Sequence, residues 1–345
     1  MNLQCPIPKF DFDVITLGHG SGGLLTHRLL ESGVFDILKN EWLDQQHDGA
    51  SFELNGNLAF STDSYVVSPL FFPGGNIGEL AINGTVNDLA MCGANAKFLS
   101  LGFIIEEGLA VEEFWRILYG IREAAIKANI KVVTGDTKVV EKGKGDKLFI
   151  NTSGIGTVHS RARIHHNRIK VGDKIIVSGN IATHGIAIMS VRRGLEFETD
   201  ILSDTRPLNA TTQRLFDVFG EKIKFVRDPT RGGIASVLNE IAGLTQLGFT
   251  IVQDSIPIDD QVEGACEMLG LDPLYVANEG IFLAIVEPGI AESFLCSLRN
   301  DQYGINSSII GEVVEEHKGK VICKSHIGGS RVVNYLTGEQ LPRIC

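Results

Sequence analysis

The sequence has no long hydrophobic run and few cysteines, and each absence excludes a class of protein. No stretch reaches the ~18 apolar residues of a membrane-spanning helix, so an integral membrane protein is not expected. The first residues lack a basic segment followed by an apolar one, so the sequence predicts no signal peptide. The six cysteines form no C-x-x-C pair, which argues against a zinc site or a disulfide framework and favours reduced thiols in the cytoplasm.

Positive charge is also scarce. The formal net charge is -11, whereas general nucleic-acid binding depends on Lys and Arg side chains that neutralise phosphates. Nucleic acid is therefore excluded as a general partner. Any bound polyphosphate must be held locally, by a motif that brings its own donors and cations.

The chain length and the apolar pattern predict two domains. A chain of 345 residues exceeds one typical core, and two domains of ~150 residues are the default expectation. Helices are predicted at 77–91 and 111–128, and a strand near Val132 is expected to break at Gly135. A second set of strands and helices begins near Val171. Because neither half alternates strand and helix regularly, the predicted fold class is α+β, with two mixed α/β domains and no doubly wound sheet.

The chain ends in L-P-R-I-C, from Leu341 to Cys345, which places a thiol on the last residue. Pro342 favours an extended backbone before it. The terminal α-carboxylate should raise the pKa of the Cys345 thiol, and Arg343 can offset this effect and favour the reactive thiolate. The sequence therefore predicts a flexible tail whose thiol reaches a pocket on its own protein, since fifteen extended residues from Arg331 span up to ~50 Å. The alternative is an incidental cysteine on a frayed end.

Four predicted loops place an Asp among small or hydroxyl residues after an apolar run. The candidate magnesium ligands on these loops are Asp63, Asp88, Asp136 and Asp228. Hard oxygen ligands from separate loops suit Mg²⁺, which takes the rest of its ligands from water and substrate phosphates. Each Asp taken alone could instead cap a turn or a helix. Their joint occurrence favours the metal interpretation.

Two glycine-rich segments are candidates for phosphate binding. The segment from Thr230 to Gly233 opens a predicted helix, where free backbone N–H groups and Arg231 would meet an anion. The segment G-H-G-S-G-G, from Gly18 to Gly23, could fold over phosphates as a flap, although it matches neither the P-loop nor the Rossmann fingerprint. The candidate nucleotide-binding residues are Gly20, Gly22, Gly23, Asn87, Thr137, Thr230, Arg231, Gly232 and Gly233.

Two further residues are candidates for proton transfer. Lys138 follows Asp136 by two positions, so on an extended stretch both side chains point to the same side, where the lysine could neutralise phosphate charge or move a proton. Glu279 lies in V-A-N-E-G within apolar surroundings that suit a general base. A solvated surface lysine and a carboxylate that caps a turn are the alternatives.

These motifs, in this order, resemble the HypE family of hydrogenase maturation factors, within the superfamily of aminoimidazole ribonucleotide synthetase and selenophosphate synthetase. The resemblance covers nearly the whole chain. It runs from G-H-G-S-G-G through G-T-V-N-D-L-A, V-T-G-D-T-K-V-V and R-D-P-T-R-G-G to the terminal L-P-R-I-C. The Asp loops are shared by the superfamily, whereas the terminal P-R-I-C is specific to the HypE family.

The resemblance implies an architecture. Residues 1–40 would form the glycine-rich flap and a helix, and 41–165 an N-terminal ATP-binding domain that pairs with a second copy into a β-barrel across a homodimer. Residues 166–330 would form a C-terminal α+β domain, and 331–345 a mobile tail. ATP and Mg²⁺ would bind in the cleft between the domains.

The resemblance also implies a reaction. The carbamoyltransferase HypF would load the Cys345 thiol with a carbamoyl group, which is then dehydrated to a thiocyanate with ATP. The cyano group would pass to iron on the HypC-HypD complex and become a cyanide ligand of [NiFe]-hydrogenase. Lys138 and Glu279 would assist deprotonation, and Asn278 would orient the carbamoyl group.

Two alternatives stay open. A synthetase that activates a free small molecule would not need Cys345, and Cys5 lacks the neighbouring glycines that a selenophosphate synthetase would require. A carrier without catalytic activity would have no use for the Asp loops.

Overall fold

The computed structural model describes residues 12–45, 48–194, 201–301, 303–336 and 344. The helices in these ranges are α1 (Leu24–Leu29), α2 (Ile77–Met91), α3 (Val111–Ala128), α4 (Thr183–Arg193), α5 (Asn209–Phe219), α6 (Gly233–Thr245), α7 (Asp260–Leu269) and α8 (Ala291–Arg299). The strands are β1 (Leu58–Tyr65), β2 (Phe71–Phe72), β3 (Gly75–Asn76), β4 (Ala94–Glu106), β5 (Lys131–Val140), β6 (Leu148–Val158), β7 (Lys174–Val177), β8 (Ile223–Arg227), β9 (Gly248–Val252), β10 (Leu283–Val286), β11 (Ser308–Val314), β12 (Val321–Lys324) and β13 (Ser330–Val333).

The N-terminal domain is a four-stranded sheet in the order β1-β6-β4-β5, with α2 and α3 on one face. Only the β4–β5 pair is parallel. The apolar stripe of α3, which includes Phe114, Ile117 and Ile121, is fully buried, as its 3.6-residue spacing predicts. The opposite face of the sheet carries exposed apolar side chains such as Phe60 and Ile104.

Glycines bring α2 close to this sheet. A Cβ at Gly84 of α2 would lie 2.3 Å from the Tyr65 hydroxyl, and one at Gly154 of β6 would lie 3.0 Å from side-chain atoms of Leu89 and Thr85. Larger residues at these positions would push the helix away from the sheet. The close approach places the last turn of α2 against β1.

The C-terminal domain is a seven-stranded sheet in the order β13-β12-β9-β11-β7-β10-β8. The β12–β9 pair is parallel, and the other pairs are antiparallel. Two apolar clusters pack against it. One includes Ile186 of α4 and Leu238 of α6, and the other includes Phe216 of α5 and Phe294 of α8. The two mixed domains confirm the predicted α+β class.

The apolar pattern located most elements correctly. The bounds predicted for α2 and α3 are confirmed. The predicted break at Gly135 is wrong, because β5 continues to Val140. Gly135 marks a close approach within the strand, since a Cβ there would lie 2.3 Å from the Leu101 carbonyl oxygen.

The C-terminal segment differs from the expected tail at two points. Residues 330–333 form β13 and belong to the sheet. Ile344 is 3% exposed and belongs to the apolar core, so the residue before Cys345 is not held away from the protein. Cys345 itself lies outside the described residues. Among the described helices, none is long and apolar enough to cross a membrane.

Candidate active site

Three acidic side chains meet where β1, α2 and the end of β8 come together. Asp88 of α2 accepts a hydrogen bond of 2.7 Å from the Ser61 hydroxyl of β1. Burial raises the pKa of Asp88, and burial together with the charges of Asp88 and Asp63 raises the pKa of Asp228 to about 7. Carboxylates that oppose one another's ionisation suit a divalent cation, which relieves the repulsion.

Arg231 brings positive charge to the same place. Its guanidinium lies 4.0 Å from an Asp63 carboxylate oxygen, and its side chain is 74% exposed. Gly232 and Gly233 both have positive φ, and a Cβ at Gly233 would lie 2.5 Å from the Leu274 carbonyl oxygen. Two glycines are therefore required for α6 to begin here, next to Thr230 and Arg231. The predicted anion-binding segment lies beside the acidic cluster.

Asp136 and Lys138 lie elsewhere on the sheet. The Lys138 ammonium is 2.5 Å from both Asp136 carboxylate oxygens, so the predicted same-side placement is confirmed. This hydrogen bond from Lys138 lowers the pKa of Asp136. Asp136 is three strands away from Asp63, or ~14 Å, and both Asp136 and Lys138 are on the exposed face of the sheet.

The four predicted magnesium ligands therefore do not form one centre within a single chain. Asp63 of β1 and Asp88 of α2 both lie close enough to Asp228 for their charges to raise its pKa, together with burial, whereas Asp136 belongs to the opposite edge of the sheet. Within the described ranges, no group of three or more His, Cys, Asp or Glu side chains has the arrangement of a complete metal site. A cation here would need additional ligands from water or phosphate.

The glycine-rich segment packs against β5. A Cβ at Gly20 would lie 2.5 Å from the Val139 backbone nitrogen, so only glycine allows this contact. The two elements enclose a cavity of about 190 Å³, lined in part by Gly20, Gly22, Asp136, Thr137 and Lys138. The structure thus brings together two motifs that are more than a hundred residues apart in the sequence.

His19 offers a buried donor within this glycine-rich segment. Its Nδ1 accepts a hydrogen bond of 2.9 Å from the Thr16 backbone, so in the neutral ring the proton is on Nε2. Burial lowers the pKa of His19, which favours this neutral ring. Among the described residues Nε2 has no hydrogen-bond partner. A buried N–H without a partner is costly, and an oxygen of a bound phosphate would satisfy it.

Asn278 and Glu279 are buried where the two domains meet. The Asn278 carboxamide accepts a hydrogen bond from the Ala182 backbone at 2.6 Å and donates to the carbonyls of Pro229 and Val276 at 2.9 and 3.0 Å. It therefore fixes three loops. The predicted contact of Asn278 with a carbamoyl group stays a prediction, and it would compete with these bonds.

Asn87 has a similar role in the contact between the domains. Its Nδ2 donates to the carbonyls of Arg206 and Glu279 at 3.0 and 3.1 Å, and its Oδ1 accepts from the Leu208 backbone at 2.8 Å. The predicted nucleotide contact of Asn87 stays a prediction. What the structure assigns to Asn87 is the connection of α2 to the C-terminal domain.

Residues 201–208 complete the site, and sequence reasoning missed them. The Asp204 carboxylate accepts hydrogen bonds from the backbone N–H groups of Glu279 and Gly280 at 3.1 and 3.0 Å. The Asp in S-D-T-R was the available signal. It resembles an ordinary turn residue, because the apolar stretch before it is only Ile201 and Leu202.

His184 is the second residue that sequence reasoning missed. It is fully buried at the start of α4, and its Nε2 lies 2.8 Å from the Ile344 carbonyl oxygen. In the sequence, no feature distinguishes it from a core histidine. The contact joins the body of the protein to the residue before Cys345.

Comparisons with known proteins match both domains of the chain. Residues 46–158 match the N-terminal domain of the AIR synthase related proteins, and residues 170–324 match the C-terminal domain. The chain is 46% identical to the carbamoyl dehydratase HypE of Bradyrhizobium diazoefficiens, over 96% of both chains. It is 47% identical to the carbamoyl dehydratase HypE of Azotobacter vinelandii, over 96% of this chain and 97% of the relative.

Solved structures give the same result. A crystal structure of hydrogenase maturation protein HypE in complex with ATP matches with a TM-score of 0.92 and 43% identity, over 96% of this chain and 99% of that one. The HypE chain of a HypE-HypF complex matches with a TM-score of 0.79 and 44% identity, over 91% of this chain and 100% of that one.

Proposed function

The chain belongs to the HypE family of carbamoyl dehydratases, and from that membership we propose that it uses ATP to dehydrate a carbamoyl group on its own Cys345 thiol. The cyano group so formed would supply the cyanide ligands of [NiFe]-hydrogenase. The observation that carries the proposal is the position of Ile344. Its carbonyl accepts a hydrogen bond from buried His184 at the contact between the domains, so the residue before Cys345 is held where the two domains meet.

The reaction begins on a thiocarbamate, S–C(=O)–NH₂. Its oxygen attacks the γ-phosphorus of ATP, ADP leaves, and loss of one nitrogen proton gives an O-phosphorylated intermediate. The C–O bond then breaks and phosphate leaves with the carbamoyl oxygen, while the second nitrogen proton is lost. The product is a thiocyanate, S–C≡N, and the group on sulfur has lost the elements of one water.

The residues present fit ATP and a divalent cation. Asp63, Asp88 and Asp228 would hold Mg²⁺, because burial and the charges of Asp88 and Asp63 already raise the pKa of Asp228. Arg231 beside them would neutralise phosphate charge. When bound, the metal would neutralise and orient the triphosphate. At the other edge of the sheet, the buried Nε2–H of His19 would donate to a phosphate oxygen.

Lys138 and Glu279 would assist the reaction in different ways. Lys138, at the cavity beside Gly20, would balance negative charge on the phosphoryl group. Glu279 is 3% exposed, and Asp204 fixes its backbone, so its carboxylate would act in a site from which water is excluded. It would accept a proton from the carbamoyl nitrogen.

The chain would act as a homodimer in the cytoplasm, with the carbamoyltransferase HypF and the HypC-HypD complex as partners. The face of the sheet that carries Phe60 and Ile104 would form the barrel with a second copy, because large apolar side chains exposed on one face mark an interface. The HypE-HypF complex supports the first partner. The predicted mobile tail would carry the thiol between loading and dehydration.

Intact mass tests the proposal. The protein is incubated with HypF and carbamoyl phosphate, with and without ATP and Mg²⁺, beside Cys345→Ala. We expect a carbamoyl adduct that loses one water only when ATP is added, and no adduct on the variant. An adduct that never loses water would support a carrier, and absence of an adduct on Cys345 would refute the role of the thiol.

A further inference from the structure

Hydrogen bonds at both ring nitrogens fix His184 in one neutral tautomer. Nε2 lies 2.8 Å from the Ile344 carbonyl oxygen, which can only accept, so Nε2 carries the proton. Nδ1 lies 2.7 Å from the Ser203 hydroxyl and accepts from it. The Ser203 oxygen accepts in turn from the Thr205 backbone at 3.2 Å. The bonds therefore run in one direction, from Thr205 through Ser203 and His184 to Ile344.

Apolar packing surrounds this contact. Ile344 belongs to the same buried cluster as Phe72 of the N-terminal domain and Met189 and Ala277 of the C-terminal domain. The Phe72 ring meets His184 edge to face, with 5.6 Å between ring centroids. Ile344 is therefore bound in a dry interdomain site, where a hydrogen bond to its carbonyl is stronger than in water.

The loop that contains Ser203 also reaches the candidate catalytic groups. Ser203 contacts His184, the adjacent Asp204 binds the backbone of Glu279, and the Leu208 backbone donates to Asn87 of α2. Residues 203–208 thus connect the docked chain end to the loop of Glu279 and to the helix that carries Asp88. A movement of Ser203 would therefore change the positions of both the Glu279 loop and this helix.

We propose that His184, oriented by Ser203, is a positioning residue that docks the C-terminal tail and so presents the Cys345 thiocarbamate for dehydration. Consecutive Cα atoms are ~3.8 Å apart, so fixing Ile344 limits where the thiol can be. The proposal rests on the proposed function for its role in catalysis. The docking itself is tested without ATP or any partner protein.

Alkylation of the thiols by iodoacetamide, resolved by peptide mass, tests the docking. Met and Gln have similar length and volume, but only Gln donates a hydrogen bond. We expect His184→Met to raise the alkylation rate of Cys345 about tenfold relative to exposed Cys296, since a buried hydrogen bond is lost. His184→Gln should stay within about twofold of wild type. Buried Cys266 and Cys323 report any general unfolding.

Equal rates at Cys345 in wild type and both variants would overturn the proposal. If His184→Met also exposes Cys266 and Cys323, the milder Ser203→Ala variant decides, because it leaves the imidazole in place and removes only the hydroxyl that orients it. Faster alkylation of Cys345 alone in Ser203→Ala supports the docking role, and an unchanged rate refutes it.

A single-turnover mass experiment then tests the effect on catalysis. His184→Met should accept the carbamoyl group from HypF at the wild-type rate but lose water about tenfold more slowly, and His184→Gln should recover most of that rate. Equal slowing of loading and dehydration would contradict a positioning role. If wild type itself loses no water, the proposed function fails, and the alkylation result still decides on the docking.

Discussion

The Ser61 hydroxyl donates a 2.7 Å hydrogen bond to the Asp88 carboxylate, and this bond joins the edge strand β1 to the last turn of α2. It orients one of the three carboxylates that meet at this point. The small residues along α2, including Gly84 below Tyr65, make the contact possible because they let the helix approach the sheet. The packing of the N-terminal domain therefore determines the geometry of the candidate metal site.

Asp88→Asn should weaken binding of ATP with Mg²⁺ about tenfold or more, because it removes one anionic oxygen from the proposed cation site. Titration calorimetry measures the affinity. Asp254→Asn, a change of the same charge at an exposed position in the C-terminal domain, should leave the affinity unchanged. Equal weakening in both variants would indicate a general effect of charge and would remove Asp88 from the site.

Phe60→Asp should convert a dimer into a monomer, because it places a charge on the exposed apolar face of the N-terminal sheet. Phe60 is 67% exposed in the single chain, so the substitution costs the fold little. Light scattering on a size-exclusion column gives the mass. Leu244→Asp is the control, since Leu244 is 58% exposed but lies on α6 of the other domain. A dimer that survives Phe60→Asp would place the interface elsewhere.

Local signals in the sequence predicted much of the fold. The stripe of Phe114, Ile117 and Ile121 predicted α3 with its observed bounds. The break predicted at Gly135 failed because a glycine that terminates a strand and a glycine that allows a close approach to Leu101 look the same in sequence. Only the pairing with β4 decides between the two.

The candidate site was harder to predict, because its residues meet through long-range contacts. Asp63 and Asp136 follow the same local pattern, yet their strands lie at opposite edges of one sheet. Strand order is a property of the whole domain and has no local signature. His184 and Ile344 are 160 positions apart, and nothing near either residue indicates the contact.

Gly233→Ala should destabilise the protein by about 1–3 kcal/mol. Gly233 has φ of +58°, and the added Cβ would lie 2.5 Å from the Leu274 carbonyl oxygen, so both the backbone and its neighbour oppose the change. Gly264→Ala is the matched control. Gly264 lies within α7 with open space around it, so alanine there should be neutral or stabilising by up to about 1 kcal/mol. Chemical denaturation measures both.

The stability of the folded protein should fall in mild acid, because His184 becomes protonated more readily in the unfolded chain. Burial lowers the pKa of His184 below its ordinary value of 6.5, an effect that the charge of Asp204 opposes and that of Arg192 reinforces. A histidine with a lowered pKa in the folded state binds fewer protons there than in the unfolded chain, so its stabilisation is complete above about pH 6.5 and is lost as the pH falls below that value.

The difference in Tm between wild type and His184→Gln isolates this effect, because the other titrating groups are common to both proteins. Between about pH 8 and pH 5.5, the Tm of wild type should fall further than that of the variant.

The same pH range should also affect the docking of Ile344. Protonation adds a hydrogen to Nδ1, where Ser203 now donates, and so disturbs the bonds that orient the ring. Alkylation of Cys345 in wild type, corrected for the thiolate fraction with Cys296, should therefore rise relative to the variant over the same pH range. If Tm and the alkylation rate change with pH equally in wild type and in the variant, His184 stays neutral down to pH 5.5.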